Sequence, residues 1–159
     1  MRTALILLRR FAVVCGLGLW IGGTTLYTGF VIRIGHRLIP GGKFGQVTRD
    51  VTGVLQIIGL ITVGVLLVNL LADAKAGRPF VRWGSRATWL VCALTLAVQF
   101  ALRSTMLGLM DSPARDRFES AHESYEMMTA IQWGAAMLHG GCVLASWRGA
   151  DAATREAAG

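Results

Sequence analysis

The chain has 159 residues, of which 53% are hydrophobic and 16% are charged, and its mean hydropathy is +0.53. This composition excludes an ordinary soluble domain and is typical of an integral membrane protein. The net charge of +7 does not indicate a nucleic-acid partner, because the basic residues lie between apolar blocks and form no continuous stripe with interleaved aromatic residues.

The N-terminal segment begins with Arg2, Arg9 and Arg10 and continues into an apolar run that ends near residue 31. A secretory signal peptide has a shorter apolar run that is closed by a small-residue cleavage site. The run here is longer and has no such site, so we expect a retained transmembrane helix.

Four apolar segments have the length that a membrane span requires, which is about 20 residues. They cover approximately residues 11–31, 51–72, 87–110 and 125–147. The loops between them are too short to fold as separate domains. The sequence therefore predicts an all-α fold, an integral membrane four-helix bundle that forms a single domain over residues 1–159.

Glycines in the first two spans are expected at helix contacts. Gly18 and Gly22 form a GxxxG motif, and Gly59 and Gly64 lie in the second span. Small residues let helix backbones approach closely in lipid. We therefore expect these glycines to face the interior of the bundle.

Basic residues near the span ends predict the orientation, since cytoplasmic loops carry an excess of Lys and Arg. With the N-terminus inside, nine basic residues fall on the cytoplasmic side and seven on the other. The cytoplasmic set is Arg2, Arg9, Arg10, Lys75, Arg78, Arg82, Arg86, Arg148 and Arg155. This distribution favours cytoplasmic N- and C-termini, and the expected location is a bacterial inner membrane.

Aromatic residues fall near the cytoplasmic ends of the spans on this topology. They are Phe80, Trp83, Trp89 and Trp147. Aromatic rings at this level anchor helices among the lipid headgroups. We interpret them as structural residues.

Polar residues follow one face of the segment that leads into the fourth span. Steps of three and four residues join Phe118, His122, Tyr125, Thr129, Gln132, Ala136 and His139. Such a face should turn towards the bundle, because unsatisfied polar groups in hydrocarbon are costly. Together with polar residues of the other spans it predicts a polar cluster at the outer end of the bundle, formed by Tyr27, Gln56, Gln99, Arg103, His122, Tyr125, Glu126 and Gln132.

Arg103 interrupts the third span and needs a partner or a path to the interface. One interpretation is an ion pair with Glu126, or with Glu123 as second choice. The other is an arginine whose side chain reaches the headgroups at the end of the span.

The histidines leave a cofactor site open. His122 and His139 are 17 residues apart, or about 25 Å along a helix, so they cannot bind one metal ion together. One b-type haem held by His36 and His122 is an alternative near the outer face, and a metal ion held by these histidines with nearby acidic residues is another. The favoured expectation is no cofactor and no metal, with His139 as a hydrogen-bonding residue between helices.

Three segments of the chain resemble the uncharacterised four-span proteins related to transmembrane protein 205. They are GGTTLYTGFVIRIGHRLI, KFGQVTRDVTGVLQIIG and FESAHESYEMMTAIQW, and the last contains an F-x-x-x-H pattern at Phe118 and His122. The resemblance implies a small four-helix membrane bundle and brings no established activity.

The sequence contains no GxSxG, Walker, HExxH or GxGxxG signature, so an enzyme is not expected. The leading hypothesis is a non-catalytic accessory subunit of a larger membrane complex or a self-associating bundle, whose partners are membrane lipid and other subunits or itself. One alternative is a b-type haem or metal-binding protein with an outer-face site around His122. Another is a small transporter or channel component that uses the polar cluster as a pathway.

Overall fold

The structure is a computed structural model that describes residues 2–39, 43–73, 79–109 and 114–156, without the side chains of Arg2, His36 and Lys43. Every element in the described residues is helical, which confirms the all-α prediction. In chain order they are α1 (Arg2–Leu26), a π-helical segment (Tyr27–Val31), α2 (Ile32–Leu38), α3 (Lys43–Ala72), α4 (Pro79–Leu109) and α5 (Arg115–Glu156). The chain divides into two compact units, Met1–Asn69 and Leu70–Gly159.

Three helices of the described chain are long and apolar enough to cross a membrane, judged by length and composition. They are Thr3–Gly35, Phe44–Ala72 and Pro79–Leu109. The fourth predicted span, residues 125–147, lies within the 42-residue helix α5, which does not reach the same apolarity. All four predicted segments are therefore helical, and three of them have the composition of a span.

The first unit is held together by close approaches between α1 and α3. A Cβ atom at Gly59 would lie 2.7 Å from Trp20 Nε1, one at Gly23 would lie 2.9 Å from Leu55 Cδ2, and one at Gly16 would lie 3.1 Å from Thr62 Oγ1. The contacts run in opposite directions along the two helices, so the helices are antiparallel. Because lipid gives no hydrophobic drive between helices, such close backbone approach is the main source of packing energy in a membrane.

The GxxxG motif of α1 does not take part in this contact, contrary to the prediction. Gly18 and Gly22 are exposed, and a Cβ atom at either would meet nothing within 4 Å; the same holds for Gly64. The reason is helical phase: the residues that face α3 are Gly16 and Gly23, which are seven residues apart, while Gly18 and Gly22 lie on the opposite side of the helix. Of the four predicted glycines, Gly59 is the one that packs as expected.

The inward face of the first helix changes its spacing at the π-helical segment. Val13, Trp20 and Tyr27 are buried at intervals of seven residues, but the next inward residue is Gly35, eight residues on. Gly35 lies directly against the ring of the buried Phe44. A π-helical turn accommodates one extra residue, so the segment Tyr27–Val31 brings Gly35 onto the packed face.

The second unit is an antiparallel hairpin of α4 and α5. Contacts between the helices occur where a Cβ atom at Gly84 would lie 3.2 Å from Cys142 Sγ, at Thr88 with His139, and at Gln99 with Thr129. The buried residues repeat at intervals of seven, as they do for Ser85, Cys92 and Gln99 in α4 and for Gln132 and His139 in α5. This repeat is typical of helices that coil around each other with interlocking side chains.

Candidate functional site

Polar side chains run along the interior of the α4–α5 hairpin, and we call them the polar seam. Its members are Ser85, Thr88, Thr95, Gln99, Thr129, Gln132 and His139. Five of them are buried, while Thr88 and Thr129 are half-buried. The polar face predicted for the fourth span therefore turns inward over Thr129, Gln132 and His139, as expected.

The seam begins with a contact between Thr88 and His139. Thr88 Oγ1 lies 2.9 Å from His139 Nδ1 and 2.8 Å from the carbonyl oxygen of Gly84. A hydroxyl has one proton, so if Thr88 donates it to the carbonyl, Nδ1–H of His139 must donate to Thr88 Oγ1. This arrangement confirms His139 as a hydrogen-bonding residue between helices.

The second ring nitrogen of His139 is in a different position. The residue is 1% exposed, and its Nε2 has no hydrogen-bond partner among the described residues. With the proton on Nδ1, Nε2 carries a lone pair that faces the interior of the protein. A buried acceptor of this kind costs free energy unless a donor reaches it.

About three turns away, Gln99 Nε2 donates a hydrogen bond of 3.1 Å to Thr129 Oγ1. Thr129 in turn donates to the carbonyl oxygen of Tyr125 at 2.8 Å. The Thr129 hydroxyl thus accepts one hydrogen bond with its oxygen and donates another with its proton. This contact and the Thr88–His139 contact fix the register of the two helices.

Gln132 lies in the seam between these two contacts. It is 6% exposed, and its Nε2 makes no hydrogen bond within the part of the chain that the structure describes. The nearest seam residue on α4 at this level is Thr95, whose hydroxyl donates to its own backbone at Val91. An amide donor is therefore left over in the middle of the seam.

The outer part of the predicted cluster is a surface pair. His122 Nε2 lies 3.3 Å from Glu126 Oε1, and the two side chains are 50% and 68% exposed. The ring of His122 also stacks on Phe118, with ring centroids 6.2 Å apart. A pair this exposed is weak, because water screens it.

Arg103 lies half-buried on α4. Extending the Gln99–Thr129 contact by one turn places Arg103 level with the half-buried Tyr125, while Glu126 faces outward. Glu126 forms its ion pair with His122. The partner that the structure shows for Glu126 is therefore His122 of its own helix.

Six residues of the predicted eight-residue cluster belong to the second unit and two belong to the first. Gln99 and Gln132 belong to the seam, while Arg103 and Tyr125 lie half-buried one turn beyond it. His122 and Glu126 are exposed on α5. Tyr27 and Gln56 are buried in the first unit, where the Tyr27 hydroxyl has no partner among the described residues.

The proposed ligand set for haem falls partly outside the described structure, since the side chain of His36 is not described. In its present position His122 is not suited to be an axial haem ligand. The Nε2 atom that would bind the iron lies against Glu126 on an exposed surface. The described residues also contain no group of three or more His, Cys, Asp or Glu side chains placed to hold a metal ion.

Thr88 and Ser85 were not predicted as seam residues. The signal was present as spacing: Ser85, Cys92 and Gln99 are seven residues apart, as are Thr88 and Thr95. A search for polar residues at intervals of seven would have found them, because helices that coil around each other repeat their contacts at that interval.

Comparison of the chain with known proteins returned no similar protein: no family model, no curated protein and no solved structure matches it.

Proposed function

We propose that the protein is an integral membrane bundle of four spans in which α5 is the fourth. The composition of α5 is less apolar than that of the other spans because it includes seam residues such as Gln132 and His139, which are buried. Between Met127 and Leu144 the large exposed side chains are apolar: Met127, Ile131, Trp133, Met137, Leu138 and Leu144. Lipid meets only the outward side chains, so this distribution supports a span.

We further propose a bacterial inner membrane with both termini in the cytoplasm. Charge in the second unit supports this orientation. Arg82, Arg86 and Arg148 lie at the end of the hairpin where α4 begins, and residues 79–89 and 140–150 contain no acidic residue. Among the described residues, the opposite end carries four acidic residues, Asp116, Glu119, Glu123 and Glu126. An excess of basic residues marks the cytoplasmic side.

The function we propose is non-catalytic association with other membrane subunits or with a second copy. The observation that carries this proposal is the outer face of α1. Gly18 and Gly22 lie on that face and are exposed, and no side chain covers them within 4 Å, while Gly16 and Gly23 of the same helix pack tightly on the other side. Small residues four apart favour helix association in lipid. A relationship to the four-span proteins related to transmembrane protein 205 belongs to the same proposal.

Cys15 supplies a direct test of self-association. It is a free cysteine one turn before Gly18 and on the same face as Gly18 and Gly22. Mild oxidation of membranes that contain the full-length protein should produce a disulfide-linked dimer. The dimer should be absent in Cys15→Ser, and replacement of Gly18 and Gly22 by leucine should reduce it strongly.

Gly64→Leu is the matched control, because Gly64 is also exposed in the middle of an apolar helix with open space around it. It should leave cross-linking unchanged. Affinity purification in mild detergent tests the accessory-subunit form of the proposal, since a partner should co-purify with the wild type and be lost from the double leucine variant. A lone monomer with no cross-link and no partner would contradict the proposal.

A further inference from the structure

The start of α4 combines exposed aromatic rings with basic side chains. Phe80 and Trp83 are 88% and 70% exposed, and the guanidinium carbon of Arg86 lies 5.7 Å from the centroid of the Trp83 ring. Arg82 lies one turn before Arg86. Helical spacing places Phe80 and Trp83 on the side of α4 that is opposite the buried Ser85, and it places the exposed Arg86 and the half-buried Arg82 on the flank next to them. The two rings therefore face away from α5.

Arg148 of α5 lies at the same end of the hairpin but on a different side, because it follows the buried His139 by nine residues and so points away from α4. The helices are paired at Gly84 with Cys142 and at Thr88 with His139. Continuing this pairing towards the end of the hairpin puts Arg148 level with Pro79, at the first turn of α4. Arg82, Arg86 and Arg148 form no ion pair with the acidic groups of the described residues.

We propose that Phe80, Arg82, Trp83 and Arg86 form a binding surface for the headgroups of anionic phospholipids, and we call it the headgroup surface. The proposal rests on the proposed membrane location and adds a lipid preference to it. Two arginines that form no ion pair with the described acidic residues attract a phosphate-bearing lipid of net negative charge, and the two aromatic rings suit the boundary between headgroups and acyl chains. The apolar run of α4 begins at Ala87, one residue after Arg86, so the basic residues lie at headgroup level.

The test uses the full-length protein in a neutral detergent, titrated with phosphatidylglycerol or with phosphatidylcholine while its thermal unfolding midpoint is measured. We expect phosphatidylglycerol to raise the midpoint at lower concentrations than phosphatidylcholine. The double variant Arg82→Gln/Arg86→Gln should weaken the apparent affinity for phosphatidylglycerol roughly tenfold, since each basic residue near an anionic surface contributes to binding. Its affinity for phosphatidylcholine should not change.

The matched control is Arg115→Gln/Arg117→Gln, which removes the same charge from the other end of the hairpin. It should retain the preference for phosphatidylglycerol. A measurement without variants supports the same test: brominated phosphatidylglycerol should quench the tryptophan fluorescence of the wild type more strongly than brominated phosphatidylcholine.

Three results would overturn the headgroup surface. The first is an equal rise of the unfolding midpoint with phosphatidylglycerol and with phosphatidylcholine. The second is that the control variant Arg115→Gln/Arg117→Gln loses the preference for phosphatidylglycerol as much as Arg82→Gln/Arg86→Gln does. The third is that inorganic phosphate raises the midpoint as much as phosphatidylglycerol, which would indicate an anion site that does not need a lipid. None of these affects the proposed membrane function, which is tested separately by the need for detergent to extract the protein. A water-soluble protein would contradict both proposals.

Discussion

Thr88 Oγ1 lies 2.9 Å from His139 Nδ1, and this contact joins two residues that are 51 positions apart in the chain. It connects α4 to α5 at a point where both backbones are within the apolar part of the hairpin. The Thr88 hydroxyl also donates a hydrogen bond to the carbonyl oxygen of Gly84 in its own helix. The histidine ring is therefore oriented by a group that is itself held in place.

Replacing Thr88 by valine should destabilise the hairpin, because the buried His139 ring would then lose its side-chain hydrogen bond and keep only the one to the backbone of Ser85. Hydrogen bonds between membrane helices contribute about 0.6 kcal/mol on average and up to about 1.7 kcal/mol. We expect the free energy of unfolding in mixed micelles to fall by about 1 kcal/mol. The matched control is Thr105→Val on the same helix, since Thr105 is exposed and bonds only to its own backbone at Ala101.

The double variant Thr88→Val/His139→Leu separates the energy of the contact from the cost of burying a His139 ring that has lost its threonine partner. It should be more stable than Thr88→Val alone, because it removes both polar groups together. An additive result, in which the two changes cost the sum of their separate effects, would show that the contact contributes nothing.

The substitutions Gln132→Met and Gln99→Met should change the free energy of unfolding in opposite directions. The Gln132 amide nitrogen has no partner among the described residues, so its replacement should raise the free energy of unfolding by about 1 kcal/mol. Gln99 donates to Thr129, so its replacement should lower the same quantity by about 0.6 kcal/mol. If Gln132→Met destabilises the protein instead, the amide has a bond that this chain alone does not supply.

Gly59→Ala should weaken the first unit, and Gly64→Ala should not. A methyl group at Gly59 would lie 2.7 Å from the ring of the buried Trp20, which has no free space to move. Overpacking of this kind costs about 1–3 kcal/mol. At Gly64 the methyl group meets open space, and the gain in helix propensity should leave stability unchanged or raise it by up to about 1 kcal/mol. Chemical denaturation of both variants in the same detergent gives the comparison.

Reporter fusions at the two termini test whether α5 crosses the membrane. Four spans place both termini on the same side, and we expect the cytoplasmic side for both. If α5 lay along the membrane surface, three spans would place the termini on opposite sides. A C-terminal alkaline phosphatase fusion should therefore be inactive, while a fluorescent protein at the same position should be bright.

The helical segments were predictable from the sequence because apolar runs of this length have few alternatives in a membrane. The helices extend beyond the predicted spans, as α5 does by beginning at Arg115, because charged residues continue a helix outside the apolar core. The inward position of Gln132 and His139 was also predictable, since hydrocarbon disfavours polar groups.

The partners of the polar residues were less predictable. Pairing depends on the register between helices, and the sequence of one helix does not determine it. Glu126 was expected to pair with Arg103, yet its own helix supplies His122 four residues earlier. Gly18 and Gly22 were expected at an internal contact because their motif is common there, whereas the choice between the two faces of α1 is set by larger residues such as Trp20.

The π-helical segment Tyr27–Val31 also bears on how the length of the first helix can change. Tyr27 and Gly35 both face inward although eight residues separate them, one more than the interval between Val13, Trp20 and Tyr27. Deletion of Gly29 would restore the shorter interval and leave Gly35 against Phe44 in a plain α-helix. A deletion before Trp20 would instead rotate Gly16 away from Thr62. The π-helical segment is thus a place where one residue can be deleted from the first helix while Gly16 stays against Thr62 and Gly35 stays against Phe44.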